Sequence, residues 1–502
     1  MKKVIVMLLA LLMILTAVAC TTEPGKTPGG ATGDHGGPNA GSDDLGADTT
    51  ENTYLNHDLP EGLNFNDQTI VIHTRGDYNS VDEIFVEDTS NQVFEAIYKR
   101  NLAVEELLKV RIEPYKSAGW DSYYTVANAQ LRATISSGDA AYDIVSGWQP
   151  CIPELATEGL FTNLLSDTYV DAEKPWWSQS LVKDLTIADQ LNFVTGDIST
   201  FTMLGSMRIF VCNSQLAEEH QIPNLYEVVR NGDWTIDYVT ELTKNLYVDT
   251  GNSVVDEADI YGIQIGCAND VDGFLASARI SMSERDADGI PYVVMPVEKM
   301  TSLVEKLHAM MYKNPGAFVT GADAADVAFR MMQENRLLMA AFPMDTLRVA
   351  FNDLQSDFMV LPYPKLDEAQ TEYGTRIQDA LQIWGIPTDI TGARLDAASA
   401  TLEAMACESY NSVTSVYFDT ALKGRYTRDE ESKEMMDLIK KSVYISFEMI
   451  YNSYIGNPCY VLRNLMSTES SDFASWWGKR NELIPEEFNK VIDMIIDNSY
   501  TE

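Results

Sequence analysis

This sequence of 502 residues is short of basic side chains and of histidine. It has 36 lysines and arginines against 75 aspartates and glutamates, five histidines, and a formal net charge of −39 at pH 7. Because phosphate groups repel so acidic a protein, the balance argues against binding to nucleic acid or to an anionic membrane surface. Such a charge is typical of a soluble protein of the cell envelope.

Catalytic and metal-binding motifs are also missing. The sequence contains no HExxH, no GxSxG and no P-loop, and the spacing of its histidines suggests no acidic partner. It has no CxxC pair and no Cys/His cluster, so no metal site and no cofactor are predicted. An enzyme is not predicted, although a secreted glycoside hydrolase, which needs only two carboxylates at a set separation, stays open as an alternative.

Cysteine is sparse beyond the N-terminus. The five cysteines after Cys20 are widely spaced, at Cys151, Cys212, Cys267, Cys407 and Cys459. Buried free thiols are the default for most of them. One pair could be bridged in an oxidising compartment, and the sequence does not identify it.

The first twenty residues are typical of an export signal. Two lysines precede an apolar stretch over 4–18, which is shorter than the roughly 18 residues that favour a membrane span. Residues 17–20, Ala-Val-Ala-Cys, resemble the lipobox of bacterial lipoproteins, in which the cysteine is acylated. That family prefers Leu where Ala17 stands, and Ala-Val-Ala also suits ordinary cleavage, which would release a free secreted protein. We expect a signal peptide over 1–19 and lipidation at Cys20.

A low-complexity segment follows the signal. From 21 to 50 the chain is mostly Gly, Thr, Asp, Ala and Pro, with too little apolar surface to offset the entropy of ordering. We expect 20–60 to be a disordered linker, whose first 30 or so residues reach about 30 Å and hold the rest of the chain off a membrane. The remaining 440 or so residues are enough for two lobes with sizeable cores.

The first third of this region alternates between strand and helix patterns. Strands are predicted over 69–73, 110–112 and 142–145. Residues 88–90 offer N-caps for a helix with Val93, Ile97, Val104 and Leu108 on one face, and Tyr124, Leu131 and Ile135 mark a second helix that ends at Gly138. Strands that alternate with helices predict an α/β fold with a parallel sheet, whose ligands bind beyond the carboxyl ends of the strands.

Further elements are predicted along the rest of the chain. Helices are expected from about Trp234, over 326–334, and through most of the sequence after Ala393. The predicted strands are a pair at 191–194 and 196–199, then 209–211, 337–342, 358–362 and 383–387.

The order of these elements resembles the extracellular solute-binding proteins of carbohydrate ABC importers, a superfamily that includes maltose-binding protein. The resemblance covers nearly everything from Gln68 onward. It is carried by the 69–73 and 142–145 strands and by the segments 159–161, 196–199, 210–213, 233–237, 328–342, 361–364 and 385–387. Where the family usually has a Gly before a strand, this chain has Asn335, which tolerates the left-handed conformation.

The resemblance implies a two-lobed periplasmic-binding-protein type II (Venus-flytrap) fold with discontinuous lobes. Lobe 1 would hold 61–196 and 357–412, and lobe 2 would hold 197–356 and 413–502. It also implies a monomer, lipid-anchored on the extracytoplasmic face of the cell membrane, that closes on a carbohydrate and delivers it to the permease subunits of an ABC transporter. A lipoprotein that binds a non-sugar solute is the other alternative.

Candidate ligand-binding residues are chosen for sugar chemistry. Aromatic rings stack on the C–H faces of sugars, and polar side chains bond the hydroxyl groups. The predicted rings are Trp148, after a strand end, Trp384, for which core packing is an equal alternative, and Tyr454, where relatives of the family place a stacking ring. The predicted polar groups lie beside strand ends or lobe crossings and are Arg75, Asp77, Asp197 and Asp345.

An acidic loop runs from Asp249 to Asp259. Many relatives of this size carry a calcium loop here, but this sequence loses the ligand spacing of an EF-hand. A solvated acidic turn is therefore favoured over a calcium site.

Overall fold

The computed structural model describes residues 54–87, 89, 91–119, 123–166, 168–251, 254–351, 357–422 and 430–499. The predicted signal peptide (1–19), Cys20 and the linker up to residue 53 lie outside the described residues. In the part of the chain that is described, no helix combines the length and the apolar character needed to cross a membrane.

The first sheet has four strands. They are β1 (Gln68–Thr74), β2 (Val110–Lys116), β3 (Ile144–Trp148) and β11 (Gln382–Gly385), in the order β11-β3-β1-β2. Strands β2 and β3 run parallel to β1, and β11 runs antiparallel to β3. The carboxyl ends of β1 and β3 therefore lie at the same edge of the sheet, as the sequence predicts.

The second sheet has five strands, and a two-stranded hairpin forms a third, separate sheet. Its strands are β4 (Arg208–Asn213), β5 (Tyr261–Gly266), β8 (Ala317–Thr320), β9 (Leu337–Pro343) and β10 (Phe358–Leu361), in the order β10-β4-β9-β5-β8. Strands β8 and β9 are parallel to β5, whereas β4 is antiparallel to both β9 and β10. The hairpin is β6 (Ser283–Arg285) with β7 (Pro291–Val293).

Helices fill the connections and most of the C-terminal part. They are α1 (Tyr78–Asp82), α2 (Gln92–Leu108), α3 (Asn128–Ser137), α4 (Ile152–Thr157), α5 (Gln179–Leu185), α6 (Ser214–Glu219), α7 (Leu225–Arg230), α8 (Ile236–Thr243), α9 (Asn269–Ser277), α10 (Val297–Tyr312), α11 (Ala325–Gln333), α12 (Asp345–Val349), α13 (Ala393–Glu408), α14 (Thr414–Leu422), α15 (Glu430–Lys441), α16 (Phe447–Ile450), α17 (Val461–Met466), α18 (Phe473–Gly478) and α19 (Leu483–Ser499).

Helix α2 shows how local sequence sets these elements. The predicted stripe is confirmed, because Val93, Ile97, Val104 and Leu108 are all buried on one face. The cap lies one residue later than 88–90: the Asn91 side chain accepts a hydrogen bond from the backbone N–H of Val93. Helix α3 ends at Gly138 with φ of +72°, also as predicted.

Two sequence predictions in this region are wrong. Tyr124 is 47% exposed and does not belong to the buried stripe. The strand pair at 191–194 and 196–199 does not form, and these segments make only isolated bridges, Val194 with Trp384 and Gly196 with Trp177. Residues 196–199 form a buried turn instead, in which the N–H of Ser199 donates to the carbonyl oxygen of Gly196 (2.9 Å). A Cβ at Gly196 would stand 1.9 Å from the carbonyl oxygen of Trp176.

Three segments cross between the sheets side by side. The backbone N–H of Arg208 donates to Arg376 (2.9 Å), and that of Gln378 donates to Ser206 (3.1 Å). On the other side, Thr375 donates to the carbonyl oxygen of Ser442 (2.8 Å). Residues 206–208, 375–378 and 442–444 thus form a hydrogen-bonded band between the sheets, which we call the crossover band.

The division into lobes stays a prediction, with one boundary to move. Strand β10 hydrogen-bonds to β4, so a lobe built on the second sheet includes 358–361, which the sequence-based division assigns to lobe 1. For a lobe of that kind, we propose that the later connection lies near residue 376, in the crossover band.

The core covers both faces of the second sheet. Consecutive residues of β4 belong to different apolar clusters: Ile209 to one, and Phe210 to the other, where its ring contacts those of Phe274 and Tyr363. The five cysteines of the described residues are buried free thiols.

Candidate functional site

The loop after β1 carries a buried arginine. The Nε atom of Arg75 lies 2.5 Å from a carboxylate oxygen of Asp77, and the Arg75 side chain is only 5% exposed. Its guanidinium lies 5.5 Å from the centroid of the Trp148 ring, close enough for a cation–π contact. The ends of β1 and β3 therefore bring these three predicted residues together.

Trp148 is held from two sides. Its indole N–H donates to the backbone carbonyl oxygen of Asp379 over 2.6 Å, which fixes the ring against the chain that leads into β11. The next residue, Gln149, donates to the backbone of Ile450 (2.6 Å). The Trp148 ring is partly buried and lies on an anchored loop.

A second aromatic ring of the site is that of Tyr460, from the C-terminal part of the chain. The Tyr460 hydroxyl donates to a carboxylate oxygen of Asp379 over 3.0 Å. The guanidinium carbon of Arg463 lies 3.9 Å from the centroid of the Tyr460 ring, a stacked cation–π arrangement. Asp379 therefore contacts both rings, one through its backbone and one through its side chain.

Arg463 in turn reaches the second sheet. Its Nε atom donates to the Asp272 carboxylate over 2.8 Å, and a second guanidinium nitrogen contacts the same oxygen. Arg376, in the crossover band, lies 3.8 Å from that oxygen. Asp272 lies in α9 just after β5, and its fully buried carboxyl has a raised pKa because burial penalises the charge, an effect that Arg376 and Arg463 oppose.

A further acidic pair lies beside Asp272. Asp270 accepts a hydrogen bond from the backbone N–H of Gly266 (2.8 Å) and is in contact with Arg208. The backbone N–H groups of Asn269 and Asp270 donate to Asp323, each over 3.1 Å. These side chains lie at the start of α9, directly beyond the carboxyl end of β5.

These contacts form a continuous line from one sheet to the other, which we call the bridging network. Its members are Asp77, Arg75, Trp148, Asp379, Tyr460, Arg463 and Asp272. A small cavity of about 20 Å³ lies against it, lined among others by Gln149, Arg376, Gln378, Asp379 and Tyr444. The network offers two rings and several carboxylate and guanidinium groups.

Tyr454 lies near this site, but its hydrogen bond is to a residue outside the bridging network. Its hydroxyl donates to the backbone carbonyl oxygen of Pro150 over 2.6 Å, two residues beyond Trp148. Its ring is partly buried. It therefore stays a candidate next to the bridging network.

Two predicted acids are engaged elsewhere. Asp197 is 3% exposed and accepts from Thr414 (2.6 Å) and from the ammonium of Lys440 (2.8 Å). Asp345 pairs with Arg348 at 2.8 Å, three residues along α12. The structure places neither of them in the bridging network.

Trp384 lies in the core. Its ring is completely buried, and its indole N–H donates to the Ser199 hydroxyl over 2.8 Å. Of the two readings that the sequence left open, the structure places the residue in the packed interior of the first sheet, so we do not include it in the proposed site.

In the acidic loop, the carboxylate of Asp259 accepts hydrogen bonds that hold the loop itself. Asp259 accepts from the backbone N–H of Thr250 (2.9 Å) and from the hydroxyl of Tyr247 (3.0 Å). Among the described residues, which leave out 252–253 in this loop, no group of three side chains is arranged to hold a metal ion.

The sequence analysis missed four of the seven residues of the bridging network. The rule that points to Arg75 and Trp148, polar or aromatic residues just beyond a strand end, applies equally to Asp272 after β5. Tyr460, Arg463 and Asp379 have no comparable local signal, because the contacts that make them relevant come from residues far away along the chain.

Comparisons with known proteins show the fold. No family model and no curated protein matches this sequence. Among solved structures, a cyclo/maltodextrin-binding protein complexed with maltotetraose is similar, with a TM-score of 0.50 and 11% identity over 86% of this chain and 96% of that chain. UspC of M. tuberculosis has a TM-score of 0.54 and 13% identity over 84% of this chain and 100% of its own. The predicted α/β, two-lobed periplasmic-binding-protein type II fold is confirmed.

Proposed function

We propose that this chain is the extracytoplasmic substrate-binding subunit of an ABC importer and that it captures a carbohydrate, most simply an oligosaccharide, between its two lobes. The bridging network is the observation that carries the proposal. It brings aromatic rings and paired charged groups to one place between the sheets, and sugar recognition needs that combination. The likeness in fold to a protein complexed with maltotetraose supports the same ligand class.

Each part of the bridging network has a task in this proposal. Trp148 and Tyr460 offer ring faces to the C–H faces of the sugar, with Tyr454 as a further ring nearby. The side chains of Asp77 and Asp379 accept hydrogen bonds from hydroxyl groups, and the guanidinium groups donate to them.

The transport steps follow from the same proposal. The ligand is bound without covalent chemistry, and closure of the lobes about the crossover band presents the loaded protein to the permease subunits. Acylation of Cys20 would keep a monomeric binding protein at the extracytoplasmic face of the membrane, with the linker as its leash. ATP hydrolysis belongs to other subunits.

The experiment is a binding screen on the purified chain. A panel of neutral and acidic mono- and oligosaccharides is titrated while tryptophan fluorescence and the melting temperature are recorded. A binder gives a saturable fluorescence change and a melting temperature that rises with its concentration. No response to any sugar would contradict the proposal. Release of reducing ends from the panel would favour a glycoside hydrolase instead.

A further inference from the structure

The charged groups of the site are already matched to one another. Arg75 faces Asp77, and Arg463 faces Asp272. The bridging network and the residues next to it together contain four guanidinium groups and five carboxylates. The guanidinium groups are those of Arg75, Arg208, Arg376 and Arg463, and the carboxylates are those of Asp77, Asp270, Asp272, Asp323 and Asp379. The site therefore has no excess of positive charge for an anionic ligand.

A cationic ligand meets a different obstacle. One face of the Trp148 ring already carries the guanidinium of Arg75, and one face of the Tyr460 ring carries that of Arg463. An ammonium group could not use either of these ring faces, because a guanidinium already occupies each of them. The rings are thus suited to an uncharged partner.

Two buried polar atoms lack hydrogen-bond partners in the part of the chain that the structure describes, a donor on Arg376 and an acceptor on Asp272, and these two side chains approach each other to 3.8 Å. The Nε atom of Arg376 and the Oδ1 atom of Asp272 have no hydrogen-bond partner among the described residues, and the two side chains are 5% and 0% exposed. A hydroxyl can accept from Arg376 and donate to Asp272, whereas a carboxylate has no proton to donate and an ammonium has no lone pair to accept with. Arg376 lines the cavity beside the bridging network.

We propose that the site selects a neutral, polyhydroxylated ligand over its anionic counterpart, with one ligand hydroxyl bound between Arg376 and Asp272. This inference rests on the proposed function and makes its ligand class narrower. Asp379 would contribute to the discrimination, because its carboxylate has no guanidinium among its hydrogen-bond partners in the described residues.

The test compares sugars that differ only in the charged group. The probes are α-1,4-galactotriose with α-1,4-trigalacturonate and β-1,4-mannotriose with β-1,4-trimannuronate, titrated calorimetrically into the full chain at low and moderate salt. We expect at least one neutral member to bind about tenfold or more tightly than its uronate, a factor equal to about 1.4 kcal/mol. A uronate that binds more tightly than its neutral counterpart would overturn the inference and leave the proposed function standing. If none of the sugars binds, both the proposed function and this inference are contradicted.

Variants separate ligand contact from folding. Asp379→Asn keeps an oxygen for Tyr460 and removes one negative charge, so it should narrow the gap between uronate and neutral sugar by several-fold. Arg376→Lys keeps the charge but removes Nε, and it should weaken the neutral sugar about tenfold. Unchanged affinities in both variants, with melting temperatures like that of the parent, would mean that a buried water alone occupies the position, and the inference would fail.

Discussion

The guanidinium of Arg463 stacks on the ring of Tyr460, with 3.9 Å between the guanidinium carbon and the ring centroid. The ring sits just before α17, and the arginine lies within that helix, so one short segment presents both a ring and a two-pronged donor. The segment is tied to Asp379 on one side and to Asp272 on the other. This geometry makes the pair a natural target for mutation.

Replacing Trp148 by alanine should weaken binding of the sugar identified in the screen. The loss should be about 1–3 kcal/mol if the ring stacks on the ligand. Calorimetric titration measures it. The matched control is Trp477→Ala, which removes a partly buried tryptophan on α18. Equal affinities for both variants and the parent would contradict a binding role for Trp148.

Tyr460→Phe tests the link between the second ring and Asp379. The variant keeps the stacked ring and loses one hydrogen bond, so binding should fall by about 0.5–1.5 kcal/mol. Arg463→Ala should act differently, because it removes one of the two cations beside the buried Asp272 carboxylate and should also lower the free energy of unfolding by about 1–3 kcal/mol. Urea denaturation and titration of both variants distinguish the two effects. Arg463→Ala should also weaken binding more than Tyr460→Phe does, because it removes a charged group from the bridging network. A larger loss of binding in Tyr460→Phe would contradict the arrangement described.

Trp384→Ala should damage the fold. Its fully buried ring leaves a cavity in the first sheet, and such truncations lower the free energy of unfolding by about 3–5 kcal/mol. Denaturation with urea measures the change, and Trp384→Phe should lose less. A variant with parental stability and lost sugar binding would instead restore Trp384 as a ligand-contacting residue.

Lys440→Met should lower the stability of the folded protein, because it removes the ammonium group that pairs with Asp197. Among the described residues, the buried carboxylate then keeps only the Thr414 hydroxyl as a side-chain partner, and an under-satisfied charged group of this kind costs about 1–3 kcal/mol. The double variant Lys440→Met with Asp197→Asn should recover part of the loss, since it removes the charge as well. Thermal melts of the two variants give the comparison, and a double variant less stable than the single one would contradict the pairing.

Glu83 predicts a pH dependence of stability. Burial raises the pKa of its carboxyl to about 8, although the N–H and hydroxyl of Thr202 donate to it over 2.5 and 3.1 Å. Between pH values of about 4.5 and 8 the folded state therefore holds a proton that the unfolded state releases. The free energy of unfolding should fall as pH rises through this window, by at most about 1.4 kcal/mol per pH unit from this group.

Glu83→Gln isolates that contribution. The amide can still accept from the Thr202 N–H, but it does not titrate, so the slope of stability against pH should become shallower. Urea denaturation at pH values of about 5.5, 7 and 8.5 measures both proteins. Because the net charge also changes with pH in both, only the difference between the slopes is attributed to Glu83. Identical slopes would show that Glu83 is ionised in the folded protein.

Local patterns of residues predict much of the architecture. The β-branched run over 69–73 predicts β1, the stripe of Val93 and Leu108 predicts α2, and both are present. Asn335 has φ of +52°, as its place in the turn before β9 requires. These features depend on residues close in sequence, so composition and periodicity are enough to identify them.

Other features depend on distant partners and could not be read locally. Trp384 is buried in the core, where it donates its indole N–H to Ser199, nearly two hundred residues earlier. Asp197 is committed to Lys440, and Tyr460 becomes a site candidate only through Asp379. The failed strand pair near 191–199 has the same cause, since tertiary packing of Gly196 against Trp176 overrides the local preference.

The five separate buried thiols make the molecule a reporter of its own unfolding. Burial raises the pKa of each, to about 12 for Cys151 and Cys407, so each is also chemically quiet while its surroundings stay closed. A thiol-alkylating reagent followed by mass spectrometry would record which region opens first on warming. Reductants should leave the melting temperature unchanged, and sugar that slows alkylation of Cys151, next to Trp148, would map protection to the loop beyond β3.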